Sequence, residues 1–301
     1  MKNIQTKENI DFDNAKPRWD IIAVFTIITL IPIIGIPVYG LYYDFTPASF
    51  IAFGVLLSVS NISITTGYHR LWSHKTFEAH YLVRGILAIV STISLQNSIL
   101  KWASDHRRHH GNLDNNFKDP YSAKRGFWFS HIGWMLRDYP SAKVDFSNVK
   151  DLQRDKIVMF QHNHYLLFGA GLNIAISLIL GLITEHIIEM FLIAGFLRIV
   201  VSHHTTFFIN SVAHIFGTQP YSKTNTARDN ALLSFFTFGE GYHNFHHAFP
   251  ADYRNGIKFW HWDPTKWTIR LLWLAGLAKN LHITPKQRIL TQMELAQKTG
   301  Q

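Results

Sequence analysis

The chain has 301 residues, 47% hydrophobic and 16% charged, with a formal net charge of +9. It contains no cysteine, which excludes thiolate metal sites, disulfides and a cysteine nucleophile. The basic balance comes without any nucleic-acid-binding motif. The apolar residues are clumped and the Lys and Arg residues sit between and after the clumps, the pattern of a membrane protein with a basic cytoplasmic face.

The first 18 residues are polar and lack the apolar core of a cleavable signal peptide. Residues 1–20 are expected to be a cytosolic tail. The first apolar run, from Ile21 to Tyr43, has no charged residue and is long enough to span a lipid core, which needs about 20 helical residues. Pro32 and Pro37 are expected to kink it. A turn at Asp44 to Pro47 leads into a second run, Ala48 to Gly67. The turn has no Lys or Arg, whereas the tail has four, so residues 21–67 read as a hairpin open to the cytoplasm.

Tyr81–Leu100 is only half apolar, with Arg84, Gln96 and Asn97, and reads as an amphipathic helix at or dipping into the interface. From Lys101 to His164 the sequence is polar, basic and aromatic. A second long apolar stretch, Tyr165 to Val201, is broken at Thr184, Glu185 and His186, again without Lys or Arg, and is expected to end near Asn210. Arg198 lies inside it and should face protein, because a guanidinium in lipid is costly. The domains expected are hairpins at 21–67 and 165–209, with a cap formed by 68–164 and 210–301. Leu271–Leu277 is an apolar stretch in the second cap segment and reads as interfacial.

The chemistry is concentrated in histidine. His69 and His74, then His106, His109 and His110, then His243, His246 and His247 form three clusters, and His214 follows the last apolar run. Residues three and four apart share a helix face, so the second and third clusters present several imidazoles to one side. The spacing of five in the first cluster is less suited to one face and is read as a helix end. Nine neutral imidazoles are enough for two metal ions, with water or an Asn-bound water filling a gap. A shared site requires an even number of crossings between clusters, so Tyr81–Leu100 does not cross. Asp105 and Glu240 are candidates to accept the outer N–H of a metal-bound imidazole. His203 and His204, inside an apolar helix, read as hydrogen-bonded core residues.

The stretches Gly67 to His74, Trp102 to His110, Asn210 to His214 and Gly239 to His247 resemble those of the membrane fatty acyl desaturase family, in its Δ9, stearoyl-CoA desaturase-like branch. Asp119-Pro120, Arg125-Gly126-Phe127, Phe129 to Leu136 and Trp262 to Trp267 carry the similarity further, over residues 61–270. The resemblance implies an all-α integral membrane fold, four transmembrane helices in two hairpins under a helical cytosolic cap. It implies that the nine histidines hold two iron ions, with Asn210 holding a water beside one. It also implies a bent acyl tunnel, with Gln96, Trp102, Thr206 and Phe207 at the bend, and further substrate contacts at Asn97, Asp105 and Arg137. Ser104 stands where the animal enzymes have Arg, and Arg137-Asp138 where they have a basic pair, which leaves acyl-CoA, acyl-lipid or another carrier open.

The C–H bonds in the middle of an acyl group have no acidic proton, so an iron–oxygen species is the reagent implied, and the protein positions the substrate. O2 takes four electrons, and the substrate gives two. The sequence has no dinucleotide fingerprint, rubredoxin cysteines or cytochrome b5 signature, so the other two come from a separate donor such as ferredoxin or cytochrome b5, with its reductase. Lys124-Arg125 is a candidate docking patch. Two rival readings are a hydroxylase with the same metals and a metal-binding or metal-transporting membrane protein.

Overall fold

A computed structural model describes Phe12 and residues 14–298; the expected N-terminal tail before Phe12 lies outside these residues. Four helices are long and apolar enough to cross a membrane: α1 Trp19–Gly40, α2 Pro47–Ser73, α6 Tyr165–Thr184 and α7 Ile187–Ile215. The protein is a multi-pass membrane protein with a mostly helical cap. α1 runs unbroken through Pro32 and Pro37, so these prolines do not end the helix. Most of its side chains are exposed or half-buried, as suits a span that faces lipid.

Two of the spans are longer than the apolar runs suggest, and both carry histidines. α2 continues six residues past Gly67 to Ser73, and over Ile64–Ser73 it is wound as a π-helix. His69 is therefore inside a helix. His74 takes the position just after it, with its backbone N–H donating to the His69 carbonyl at 3.1 Å. α7 runs to Ile215, so His214 lies within the last span rather than after it. Polar residues within α7 are satisfied by protein partners: Ser202 donates to Asn61 Oδ1, and Thr205 accepts from Asn61 Nδ2.

Tyr81–Leu100 is not one helix. α3 is Tyr81–Val90, a tight turn follows at Ser91–Ser94, and Ser98 caps α4, Ile99–Gly111. The two helices are bent by 82°. Leu95 and Asn97 take positive φ at the break, 52° and 78°. The second hairpin holds this turn in place. Arg198 is buried, and its guanidinium donates to the carbonyls of Ile93 (2.7 Å) and Ala194 (3.1 Å) and to Asn173 Oδ1. His203 contacts the Ser94 carbonyl at 2.9 Å. At the far end the two hairpins are joined by buried Glu189, which accepts from the Thr46 backbone N–H and hydroxyl at 2.8 and 2.9 Å.

Further cap elements include α5 Lys156–Asn163, α8 Ala231–Phe236, α9 His243–Ala248, α10 Pro264–Leu274 and α11 Lys286–Lys298, with a two-residue antiparallel pair, Glu78–Ala79 against Ala278–Lys279. The apolar core of the cap gathers Tyr68, Leu71, Trp72, Ile99, Leu100 and Ile269, so the end of α2, α4 and α10 pack as one unit.

Candidate metal centre

The π-winding of α2 explains the first cluster. In an α-helix, residues five apart point about 140° away from each other; with i→i+5 hydrogen bonds the turn widens and they stack. His69 and His74 accordingly have ring centroids 4.9 Å apart. The second cluster lies on α4, where spacings of three and four put His106, His109 and His110 on one side. The third lies on α9, a six-residue helix too short to be stable alone. Asp229 stabilises its first turn by accepting from the backbone N–H groups of Asn244 and Phe245, at 2.8 and 3.0 Å. Its carboxyl is pushed up to about 7 by burial, partly countered by these two hydrogen bonds.

These elements converge the imidazoles into two groups. His69, His74, His106 and His246 form one, and His109, His214, His243 and His247 form the other; within each, one ligand nitrogen from every residue lies within 4.8 Å of the rest. The Nε2 atoms face one another. His74 and His106 are 2.7 Å apart, His69 and His246 3.1 Å, His214 and His243 3.0 Å, and His243 and His247 3.0 Å. His110 links the groups: its Nε2 is 3.0 Å from that of His246, and its ring stacks on His247 at 4.2 Å. Asn210 lines the adjoining cavity one turn before His214.

Four imidazole nitrogens converging within 4.8 Å from separate elements is the arrangement in which one bound cation can share their lone pairs. The state of the rings suits that role. Burial, and after it the neighbouring imidazoles, hold His74, His106, His110, His243, His246 and His247 well below the usual histidine range, so they are neutral and can donate a lone pair.

Four of the outer nitrogens have side-chain partners as well. His69 Nδ1 lies 2.8 Å from Glu240 Oε2, and His109 Nδ1 lies 2.9 Å from Asp119 Oδ1. His106 Nδ1 is 3.2 Å from the Tyr121 hydroxyl, and His214 Nδ1 is 2.8 Å from Thr226 Oγ1, which itself donates to Asp114 Oδ1 at 2.5 Å. Such partners fix the ring orientation and leave Nε2 free to bind. Asp105 does not take this part. Adjacent residues on a helix point about 100° apart, so its carboxylate turns away from His106 and pairs with Lys101 one turn back, at 2.5 Å. Asp119, Tyr121, Thr226 and Asp114 are not marked as partners by the sequence, because they come from loops with no periodicity.

Glu240 does more than hold His69. It also accepts from Arg70 at 3.0 Å, and Arg70 reaches Asp263 at 2.9 Å and the Tyr253 carbonyl at 2.8 Å. Burial works to raise the Glu240 carboxyl, but its contacts with His69 and Arg70, the hydrogen bonds included, outweigh it, and the net shift is downward. Gly239 has φ +106°, and a Cβ there would collide with the Asp263 carboxylate, so only glycine lets the Glu240 loop approach α10 this closely.

A cavity of about 580 Å³ adjoins the histidines. Gln96, Asn97, Trp102, Asp105, Thr206 and Phe207 all line it. Trp102 stacks on His106 at 4.8 Å, and Gln96 donates to the Thr206 hydroxyl at 2.9 Å. α1 adds Val24, Phe25 and Ile28 to the walls. Arg137 is elsewhere: its guanidinium donates to the Ala15 carbonyl at 3.3 Å and its backbone bridges to Pro17, while Trp134 and Met135 line the cavity instead. Arg18 and Lys101 line it too, and neither stands out in the sequence as a site residue.

Residues 46–278 match the fatty acid desaturase family. The chain belongs to that family. Its relatives include a probable acyl-CoA desaturase of Schizosaccharomyces pombe, 40% identical over 85% of this chain and 54% of the relative. A stearoyl-CoA desaturase of Homo sapiens is 38% identical over 78% of this chain and 67% of the relative, and an acyl-CoA Delta12-desaturase of Acheta domesticus is 37% identical over 85% and 74%. This desaturase-family chain thus spans about half the length of the fungal relative.

Proposed function

We propose that the chain is an O2-dependent fatty acyl desaturase that introduces a cis double bond, at the Δ9 position, into a saturated acyl substrate. The observation that carries this reading is the pairing of two four-histidine groups with an apolar-walled cavity of about 580 Å³ alongside them. In the proposal, two iron ions are bound. His69, His74, His106, His110 and His246 hold one, and His109, His214, His243 and His247 hold the other, with Asn210 reaching it through a water. All-nitrogen ligation with neutral imidazoles suits iron. Bound iron supplies oxygen activation, which removes hydrogens from C–H bonds that no side chain can attack.

The protein's own residues then have positioning roles. Val24, Phe25, Ile28 and Phe207 give the acyl group apolar contact and exclude water. Trp102, fixed against His106, and the Gln96–Thr206 pair wall the cavity where it meets the histidines, which selects the methylene pair held near the metals. Arg18, Asn97 and the Lys101–Asp105 pair offer polar contacts for the carrier end. The names of the relatives favour coenzyme A as carrier, while Ser104 offers no cation: its hydroxyl is used by the Asp145 carbonyl and Asn148. O2 is reduced to two waters by the two substrate hydrogens, two protons from solvent and two electrons from a separate donor, of the ferredoxin or cytochrome b5 kind, kept reduced by its reductase. The Lys- and Arg-free turns between paired spans favour both termini and all histidine boxes facing the cytoplasm.

Expression in a host lacking its own desaturase tests the reading. A new cis-9 monoene by mass spectrometry is expected, and the carrier bearing it at the earliest times identifies the substrate class. Hydroxylated products would transfer the assignment to an oxygenase. Metal flux into proteoliposomes with unchanged lipids would transfer it to a transporter.

A further inference from the structure

Two cap helices present apolar faces outward. α10 buries Thr265, Lys266 and Ile269, and its opposite side, at helical spacing, carries Trp267, Arg270, Leu271 and Leu274. A helix on an aqueous surface turns polar side chains outward, yet Leu271 and Leu274 are 66% and 65% exposed. α8 does the same with Leu232, Phe235 and Phe236, and Phe259, in the segment just before α10, is 83% exposed. The pieces form one surface: Phe235 packs against Trp262 at 5.2 Å, and Trp262 against Trp267 at 5.5 Å.

The surface begins where spans emerge on the histidine side. α8 starts beside the end of α7, with Asn230 Nδ2 donating to the Phe216 carbonyl at 3.4 Å, and Phe216 is itself exposed. α10 starts beside α2, where the Thr265 and Thr65 hydroxyls are hydrogen-bonded. Basic groups are interleaved with the rings: Arg270 lies over Trp273 at 4.2 Å and Lys258 over Trp260 at 5.3 Å. Tryptophan and tyrosine rings with neighbouring cations are the side chains that favour the headgroup layer, which is apolar at one end and wet at the other.

We infer that this face, Leu232–Phe236 together with Phe259–Leu274, is immersed in the headgroup layer of the bilayer that the four spans cross, so that the cap is anchored by lipid contact as well as by its helices. A lipid surface fits better than a protein partner because the face is continuous with the emergence points of α2 and α7. The inference rests on the spans and not on the reaction proposed above. Its structural consequence concerns the third histidine cluster, since α9 lies in sequence between the two anchored helices and Asp263, the α10 cap, is tied through Arg70 to Glu240.

The absence of cysteine makes the test direct. Phe259→Cys, Leu271→Cys and Leu274→Cys are each spin-labelled in the full-length protein, reconstituted in lipid nanodiscs, with Val144→Cys, at an exposed cap position, as the reference. Metal content equal to that of the parent shows each labelled protein to be folded, and the three sites read independently. Expected is an accessibility to O2 severalfold above that to a water-soluble nickel chelate at the three sites, and the reverse at Val144. Sites as open to the nickel chelate as Val144 overturn the inference, including the case in which an added donor protein then covers them.

Discussion

The two groups of four converging histidines differ in what stands behind them. Behind the first is a buried ionic network: His69 leans on Glu240, which shares Arg70 with Asp263, and those residues tie α2, the loop before α9 and α10 together. Behind the second is a loop, with Asp119 on His109 and the neutral Thr226 hydroxyl, relayed to Asp114, on His214. The first group is thus coupled through its ionic network to the fold of the cap, while the side chains behind His109 and His214 come from segments 112–122 and 216–230. Stability and metal affinity should therefore separate between the two.

The largest effect is expected from the ligands themselves. His246→Ala and His109→Ala each remove one imidazole from one group, and each should reduce unsaturated product by at least about 100-fold, since a ligand has no substitute nearby. Metal analysis of the purified variants should show His246→Ala losing the ion of the first group and His109→Ala that of the second. Equal metal content and full product in both variants would remove them as ligands.

Next comes the network. Glu240→Ala leaves Arg70 buried with one carboxylate fewer and frees the outer nitrogen of His69. Breaking a buried pair from one side costs about 3–5 kcal/mol. Thermal unfolding should fall markedly and metal should be lost with it. Asp119→Asn keeps the size of the side chain and a hydrogen-bond acceptor near His109 but removes the charge. It should lower metal affinity about 10–100-fold with a much smaller change in unfolding temperature. If both substitutions moved stability equally, the distinction between the groups would fail.

How much of this is readable in the sequence follows from periodicity. Four spans are legible from apolar runs, and the α4 cluster from α-helical spacing. The first cluster is not fully legible, because a spacing of five shares a face only on a π-helix, and nothing local in Ile64–Ser73 announces that winding. The spans at α2 and α7 read short because Tyr68 and Arg70 in the one, and Asn210 and His214 in the other, look like cap residues until their surroundings from distant segments are seen. As an imidazole partner Asp105 is suggested only by its neighbour in sequence, and Arg137 only by its match to a family position; the structure pairs Asp105 with Lys101, where it still lines the cavity, and Arg137 with the Ala15 carbonyl. Tyr121, Thr226 and Asp114 sit in loops, where side-chain placement is decided by packing alone.

The smallest expected effect is at Thr226. Thr226→Val is close in shape but removes the hydroxyl that joins His214 Nδ1 to Asp114. The relay is neutral at its centre, so its net contribution is that of one ordinary hydrogen bond, about 1 kcal/mol or roughly fivefold in affinity. The His214 ring would keep its position on α7, because the helix and not the relay places its backbone. A several-fold weaker hold on the second metal, with the first unaltered and thermal unfolding within about 1 kcal/mol of the parent, is the expected result from chelator titration. A loss as large as that of Asp119→Asn would mean that the Asp114 charge is transmitted through the hydroxyl, and the second group would then be braced by two carboxylates, much as the first is braced by Glu240 and Asp263.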